Sequence, residues 1–403
     1  MRKLTVKNFS VIKEAELEFG KITVLIGPQA SGKSLLCKLA YFLSKEVVDI
    51  AVDRIMSRFD FAAFENEVKK KFAEWFPRGG WRASDWFAQF ILGSYGVTLS
   101  ASGNASNGPS EFTLTLSEKF RNIYEEQLSD SGFRTEAVPH RALRNLMDKG
   151  FWDQVTYIPS ERSYYVDTQK AYRLLENQPD PIASRFAVLY SYSINQDIPK
   201  PRLRDFLKGE LKRGEDSRLF AFDDGRILPL SHLSSGSKEL LPLLSVLATY
   251  EHQRPATVSA GYPTDLFFYD EFFVEEPEAN IFPESQYNLV RNFAELANSD
   301  QLRPHFTITT HSPYILTAFN DLIKAGQIAA ERPDKASEIE KIIPRQYWIK
   351  PGDFAAYAFD GKDGVLHPIM DPETKMINGD ILDDISETIS GEFGQLLEIQ
   401  YGD

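Results

Sequence analysis

Gly27-Pro-Gln-Ala-Ser-Gly32-Lys33-Ser34 is the stretch whose reading decides the fold. It follows Lys21-Ile-Thr-Val-Leu-Ile26, an apolar run typical of a strand buried on both faces, and a helical pattern begins near Lys33. The stretch fits G-x-x-x-x-G-K-[ST] in the strand, loop and helix setting in which that pattern works. Its physics is local. Glycines let successive backbone N–H groups turn inward around a phosphate, and the helix N-terminus adds the positive end of a dipole. Lys33 reaches the β- and γ-phosphates, and the Ser34 hydroxyl is placed to ligate Mg²⁺. Gly27, Pro28, Gln29, Ala30, Ser31, Gly32, Lys33 and Ser34 are therefore the candidate nucleotide-binding set, with ATP and Mg²⁺ as the expected cofactors.

Outward from this loop, the 403 residues provide enough chain for one large α/β domain with insertions or for two to three smaller units. The net charge of −13 repels a phosphate backbone at long range, so nucleic acid would need a local basic patch. Lys200, Arg202, Arg204, Lys208, Lys212 and Arg213 form the best one, diluted by Asp205 and Glu210; a solvated helix face is the competing reading. Cys37 is the single cysteine, which forbids an internal disulfide and a thiolate cage and suits a cytoplasmic protein. Its apolar neighbours read as a core position. The most apolar helix-like run, Leu240 to Ala248, falls far short of the roughly 18 residues of a membrane span, so no membrane partner is expected.

Short strands are expected at Leu4 to Phe9 and Ala15 to Phe19. A helical pattern runs from Glu46 to about Phe90, broken at Pro77-Arg78-Gly79-Gly80. Tyr95 to Ser100 and Phe112 to Leu116 alternate like a hairpin, and Val155 to Ile158 is a strand stopped by Pro159. From Thr168 to about Arg213 the pattern is again helical, and 219 to 230 reads as a hairpin. Strand and helix then alternate to a hairpin around Asp360 to Gly364 and a final amphipathic helix carrying Ile381, Ile385, Ile389 and Phe393 on one face.

Three more segments carry chemistry. Leu233-Ser-Ser235-Gly236-Ser-Lys-Glu239 opens a helix: alone it is a good N-cap, but Ser235 and the Gly236 N–H also suit a γ-phosphate. Phe272-Phe-Val-Glu275-Glu276-Pro277-Glu278-Ala-Asn280 is an apolar strand ending in carboxylates. There Glu275 can hold Mg²⁺ through water, and Glu276 can orient and deprotonate an attacking water. A rival register ends the strand at Asp270-Glu271. Phe306-Thr-Ile-Thr-Thr310-His311-Ser-Pro313 ends another strand in a histidine, which is either structural or a hydrogen-bonding sensor of the γ-phosphate.

In this order the four segments resemble the ABC-type ATPase superfamily, closest to the OLD-like (overcoming lysogenization defect) AAA family, with SMC-type heads as more distant relatives. Lys7-Asn8-Phe9 and Tyr157-Ile-Pro-Ser-Glu-Arg162 share the likeness. The resemblance implies an α/β P-loop NTPase with a mixed central sheet, an antiparallel β subdomain and helical insertions. The nucleotide-binding lobe would span 1–45, 95–166 and 262–403, with a helical insertion at 46–94 and a helical signature lobe at 167–261. Gly27 to Ser34 would be Walker A, Leu233 to Glu239 the signature, Glu275 the metal acid, Glu276 the catalytic glutamate and His311 the switch histidine. Two heads would close head-to-tail over two ATP molecules, so that Ser235 and Gly236 act on the partner's nucleotide. The family's Q-loop glutamine is missing: the matching strand end reads Pro159-Ser160-Glu161-Arg162. Arg162 is left to phosphate, to an acidic neighbour or to a structural ion pair.

Bacterial anti-phage ATPases of the Septu, Gabija and PARIS type look similar in these motifs. By that likeness, a homodimer or higher homo-oligomer would sense infection and control a separately encoded effector, a nuclease. The segment after His311 reads as a hairpin and a helix rather than a Toprim domain. The alternative is an SMC-like or recombination-repair-like DNA-binding head, although residues 45 to 230 carry no sustained heptads.

Overall fold

The computed structural model describes residues 2–81, 85–102, 112–129, 139, 142–143, 146, 152–167, 180–215, 218–259, 269–300, 302 and 304–378. Arg2–Phe9 (β1) and Ile12–Glu18 (β2) pair antiparallel, and Ile22–Ile26 (β3) leads through the glycine-rich loop into Lys33–Tyr41 (α1). A π-helical stretch, Phe42–Glu46, joins α1 to Val47–Met56 (α2), and Phe61–Trp75 (α3) follows. The helical reading of 46 to about 90 fails at its end. Trp86–Leu92 (β4) is a strand whose alternating residues face the core, and it lies between β1 and Tyr95–Ala101 (β5). With Phe112–Leu116 (β6) it completes a five-stranded antiparallel sheet ordered β2-β1-β4-β5-β6. The segment 46–94 is therefore not wholly helical: aromatic and β-branched alternation outweighed the helical pattern upstream of it.

Glu118–Ser129 (α4) and Trp152–Ile158 (β7) follow, then Pro181–Asn195 (α5) and Pro201–Leu207 (α6). Helix α5 starts where Asp180 accepts from the Ile182 and Ala183 N–H groups ahead of a proline that has none to offer. The reading of helix through Arg213 also fails. Gly209–Arg213 (β8), Arg218–Phe222 (β9) and Ile227–Pro229 (β10) form a small antiparallel sheet, so the lobe at 167–261 is not purely helical either. The hairpin expected around Asp223 to Gly225 is the β9–β10 pair. Ser235–Ser259 (α7) leads to Tyr269–Glu275 (β11), Pro283–Asn298 (α8), Pro304–Thr310 (β12) and Pro313–Glu331 (α9). Phe354–Phe359 (β13) and Leu366–Pro368 (β14) form the hairpin around Asp360 to Gly364. The terminal amphipathic helix lies outside the described residues.

The second large sheet is ordered β14-β13-β3-β12-β11-β7, all parallel except β14. Period-two alternation divides its side chains between two cores. Val24, Phe272, Val274 and Ile308 face α7, α8 and α9, whereas Leu25, Phe273, Tyr157 and Tyr357 face α1, α2 and the antiparallel sheet. A sheet covered on both sides explains why β3 reads as five consecutive apolar or small residues, all buried. Each fully buried Leu or Phe contributes roughly 1.5–3 kcal/mol, so both faces are held by many independent contacts.

Candidate active site

Strand register sets the site. Ile26 is level with Thr310 of β12, and Thr309 is level with Glu275 of β11, so the glycine-rich loop, Glu275 and His311 leave the sheet at one edge. The carboxylate strand lies two strands from the loop strand, on the order of 10 Å. This is the carboxyl edge of a parallel sheet, where open α/β folds form their crevices.

In the loop, Gly27, Ala30 and Gly32 have φ of 151°, 60° and 111°, which turns the backbone inward. A Cβ on Gly27 would lie 2.6 Å from the Phe359 carbonyl, so glycine is required there by close packing as well as by φ. Pro28, Gln29 and Ala30 are exposed, Ser31 and Ser34 are half-buried, and Lys33 is buried. Lys33 Nζ donates to the Gly27 and Pro28 carbonyls, both at 2.8 Å. Burial lowers its pKa, while Glu276, Glu278, Cys37 and Glu275 act against that shift.

Glu275 is buried at the end of β11, where one oxygen accepts from Tyr157 Oη at 2.6 Å and the other from the Ser160 N–H at 3.3 Å. Burial, then Glu275, pushes the Tyr157 phenol well above its usual pKa, so it stays a neutral donor. Glu276 sits half-exposed with φ of 40°, a left-handed backbone that costs a non-glycine residue about 1–3 kcal/mol and is typical of functional positions. Its N–H donates to the Thr309 carbonyl at 2.9 Å, and its carboxylate lies 3.1 Å from His311 Nε2. Glu278 accepts from Thr310 Oγ1 and from the His311 N–H, both at 2.7 Å, which fixes the histidine backbone. Its other oxygen is buried with no protein partner. The rival residue, Glu271, is fully buried about four residues upstream, roughly 13 Å along the strand. There it accepts from Arg2 and Thr307 at 2.7 Å each.

A divalent cation fits this donor set: the Ser34 hydroxyl and the Glu275 carboxylate are hard oxygen ligands, and one Glu278 oxygen is buried without a hydrogen-bond partner. A cleft of about 450 Å³ opens beside the loop, between Ser31, Asn8 and the β13–β14 turn at Gly361, a size suited to the rest of a nucleotide. Phe9 does not line it; that ring is buried among Phe72, Phe76, Trp81 and Trp86.

Ser235 and Gly236 stand apart from this group. Ser234 caps α7, leaving Ser235 exposed, and a Cβ on Gly236 would lie 2.8 Å from the Asn280 carbonyl. A second cleft, about 620 Å³, runs between Ser235, Asn280, Glu161 and Tyr164. No residue of the glycine-rich loop lines this second cleft, and no residue of the Ser235 segment lines the first.

A family profile described as "AAA domain, putative AbiEii toxin, Type IV TA system" matches residues 22–317, which hold all of these motifs. The chain belongs to this AAA family. It has a P-loop ATPase fold. The AAA chain is 14% identical to the SMC head domain from Thermotoga maritima, covering 91% of this chain and 97% of that one with a TM-score of 0.40. Against the Smc head domain from Pyrococcus furiosus bound to the C-terminal domain of ScpA, the values are 10%, 97%, 100% and 0.38. Against the ATPγS-bound recombination mediator RecF they are 10%, 91%, 97% and 0.39. No curated protein matches the chain.

Of the readings left open for Arg162 the structural ion pair is the one observed, whereas the parts played by Tyr157 and Glu278 were not foreseen. Arg162 is fully buried, donates to main-chain carbonyls and lies 3.5 Å from the Glu239 carboxylate rather than facing the loop. Tyr157 and Glu278 position Glu275 and His311; the only signal for them was a tyrosine and a carboxylate at strand ends. Part of the basic cluster is paired with acids: Arg202 with Glu251 and Glu295, Arg204 with Glu210 and Asp223, and Lys212 with Glu210. Among the described residues no helix is long and apolar enough to cross a membrane.

Proposed function

We propose that this AAA chain binds ATP with Mg²⁺ and hydrolyses it at a site closed by a second copy. The observation that carries the reading is the Glu276–His311 pair at the strand ends beside Lys33. Lys33 holds the β- and γ-phosphates, and Ser34 and Glu275 hold the cation. When bound, that ion neutralises charge developing on the phosphate oxygens. Glu276 accepts a proton from the attacking water, and His311 holds the glutamate or the γ-phosphate in line. Ser235 and the Gly236 N–H act on the nucleotide of the other copy, a reading supported by the separation of the two clefts. The closed homodimer, or a larger assembly of it, serves as a sensor for a separately encoded effector, a nuclease, in cytoplasmic anti-phage defence. The toxin–antitoxin wording of the family description supports this two-component logic.

Phosphate release by the purified chain tests the enzymatic core. Lys33→Ala abolishes productive binding, and Glu276→Gln retains ATP but slows turnover by about 10²-fold or more. Unchanged turnover in Glu276→Gln overturns the assignment. Mass measurement of the native complex checks for the effector: a second polypeptide beside the ATPase is expected, and the ATPase alone counts against the sensor role.

A further inference from the structure

Arg162 follows β7 at its carboxyl end, and its guanidinium points away from solvent and is spent on the main chain. Nη1 donates to the Glu275 carbonyl at 2.8 Å and the Pro159 carbonyl at 3.2 Å, and Nη2 donates to the Glu276 carbonyl at 2.8 Å. Nε donates to the Glu239 carbonyl at 3.0 Å, in the first turn or so of α7, and lies 3.5 Å from the Glu239 carboxylate. The other oxygen of that carboxylate accepts from Asn280 Nδ2 at 3.4 Å, so the grip extends to the turn after Glu276. The planar fork of an arginine suits this arrangement, because its donors hold fixed directions.

The consequences for Glu276 are specific. Its left-handed backbone is held at the amide by the Thr309 carbonyl and at its own carbonyl by Arg162. With both ends of the peptide fixed, the side-chain direction toward His311 follows. A displacement of α7 moves the Glu239 carbonyl and therefore the guanidinium.

We propose that Arg162 is a positioning residue that makes the alignment of Glu276 depend on the position of α7. The helix that presents Ser235 and Gly236 then reports its engagement to the glutamate of its own chain. The inference rests on the hydrolysis reading above.

The test uses the full-length chain, with rates referred to sites titrated by a fluorescent ADP analogue so that unfolded material does not count. Arg162→Lys keeps the charge but loses the fork. It is expected to lower kcat by at least 10-fold per titrated site, with KM within about 3-fold of wild type. Placed on Glu276→Gln, it leaves the residual rate unchanged, since a misplaced base that is already gone costs nothing further. Where Arg162→Lys yields too few sites, Glu239→Gln, which weakens the link from α7 to Arg162 and Asn280, is expected to lower kcat in the same direction. An unchanged kcat per site, a rise in KM alone, or an equal fall in both Glu276 backgrounds overturns the proposal. Wild-type chain that turns over no ATP overturns the hydrolysis reading instead, and the wild-type measurement separates the two.

Discussion

At the scale of single residues, the places of the phosphate loop and of the strand end that carries Glu275 were legible because short spacings mark them. Arg162 was not, since its role comes from carbonyls supplied by three distant segments, and no spacing records where a main-chain oxygen will point. Lys200 shows another residue-level effect. Its ammonium donates to the Gln196 carbonyl, and burial, then nearby Arg218, lowers its pKa to about 8 from the ordinary 10.5. The folded pKa lies below the unfolded one, so between pH 8 and 10.5 the unfolded chain holds more protons and stability climbs as pH rises. Lys200→Met is expected to remove that climb, so that its stability relative to wild type is greater at pH 7 than at pH 10. Parallel denaturation curves for the two proteins at pH 7, 8 and 10 check it; an identical pH response in both would refute it.

At the scale of elements, strands buried on both faces were readable as apolar runs, and β7, β11 and β12 appear where those runs end in motifs. Strands β4 and β8 were misread as continuations of the helical sequence before them, and their assignment is decided by sheet partners rather than by local pattern. Helix α9 was passed over, although it shapes the edge of the parallel sheet. Gly326 on this helix lies so close to the returning chain that a Cβ would fall 1.9 Å from the Ile349 carbonyl, and the Ile349 N–H donates to the Leu322 carbonyl at 3.1 Å. The returning chain then enters β13, the neighbour of the loop strand. Gly326→Ala is therefore expected to destabilise the protein by about 1–3 kcal/mol despite the better helix propensity of alanine. A urea midpoint equal to or above that of wild type would show that the contact relaxes freely.

At the scale of the whole molecule, the two motif-bearing clefts share no lining residue, which gives the proposed partnership a direct genetic test. A Lys33→Ala chain and a Ser235→Arg chain, each inactive alone, are expected to regain up to about half the activity per dimer when mixed, through one intact composite site. No recovery in a verified heterodimer would place the Ser235 segment outside the reaction. The overall ATPase architecture was foreseeable from four short motifs, whereas the allocation of antiparallel strands to 46–94 and 167–261 required the sheets themselves. Cys37 lies sealed in the core at 1% exposure, and burial, reinforced by Glu275 and Glu271, raises its thiol pKa well above the ordinary value. As the sole native sulfhydryl it is shielded from maleimides, so a dye installed at an engineered surface cysteine would report opening and closing from one address in an otherwise unaltered polypeptide.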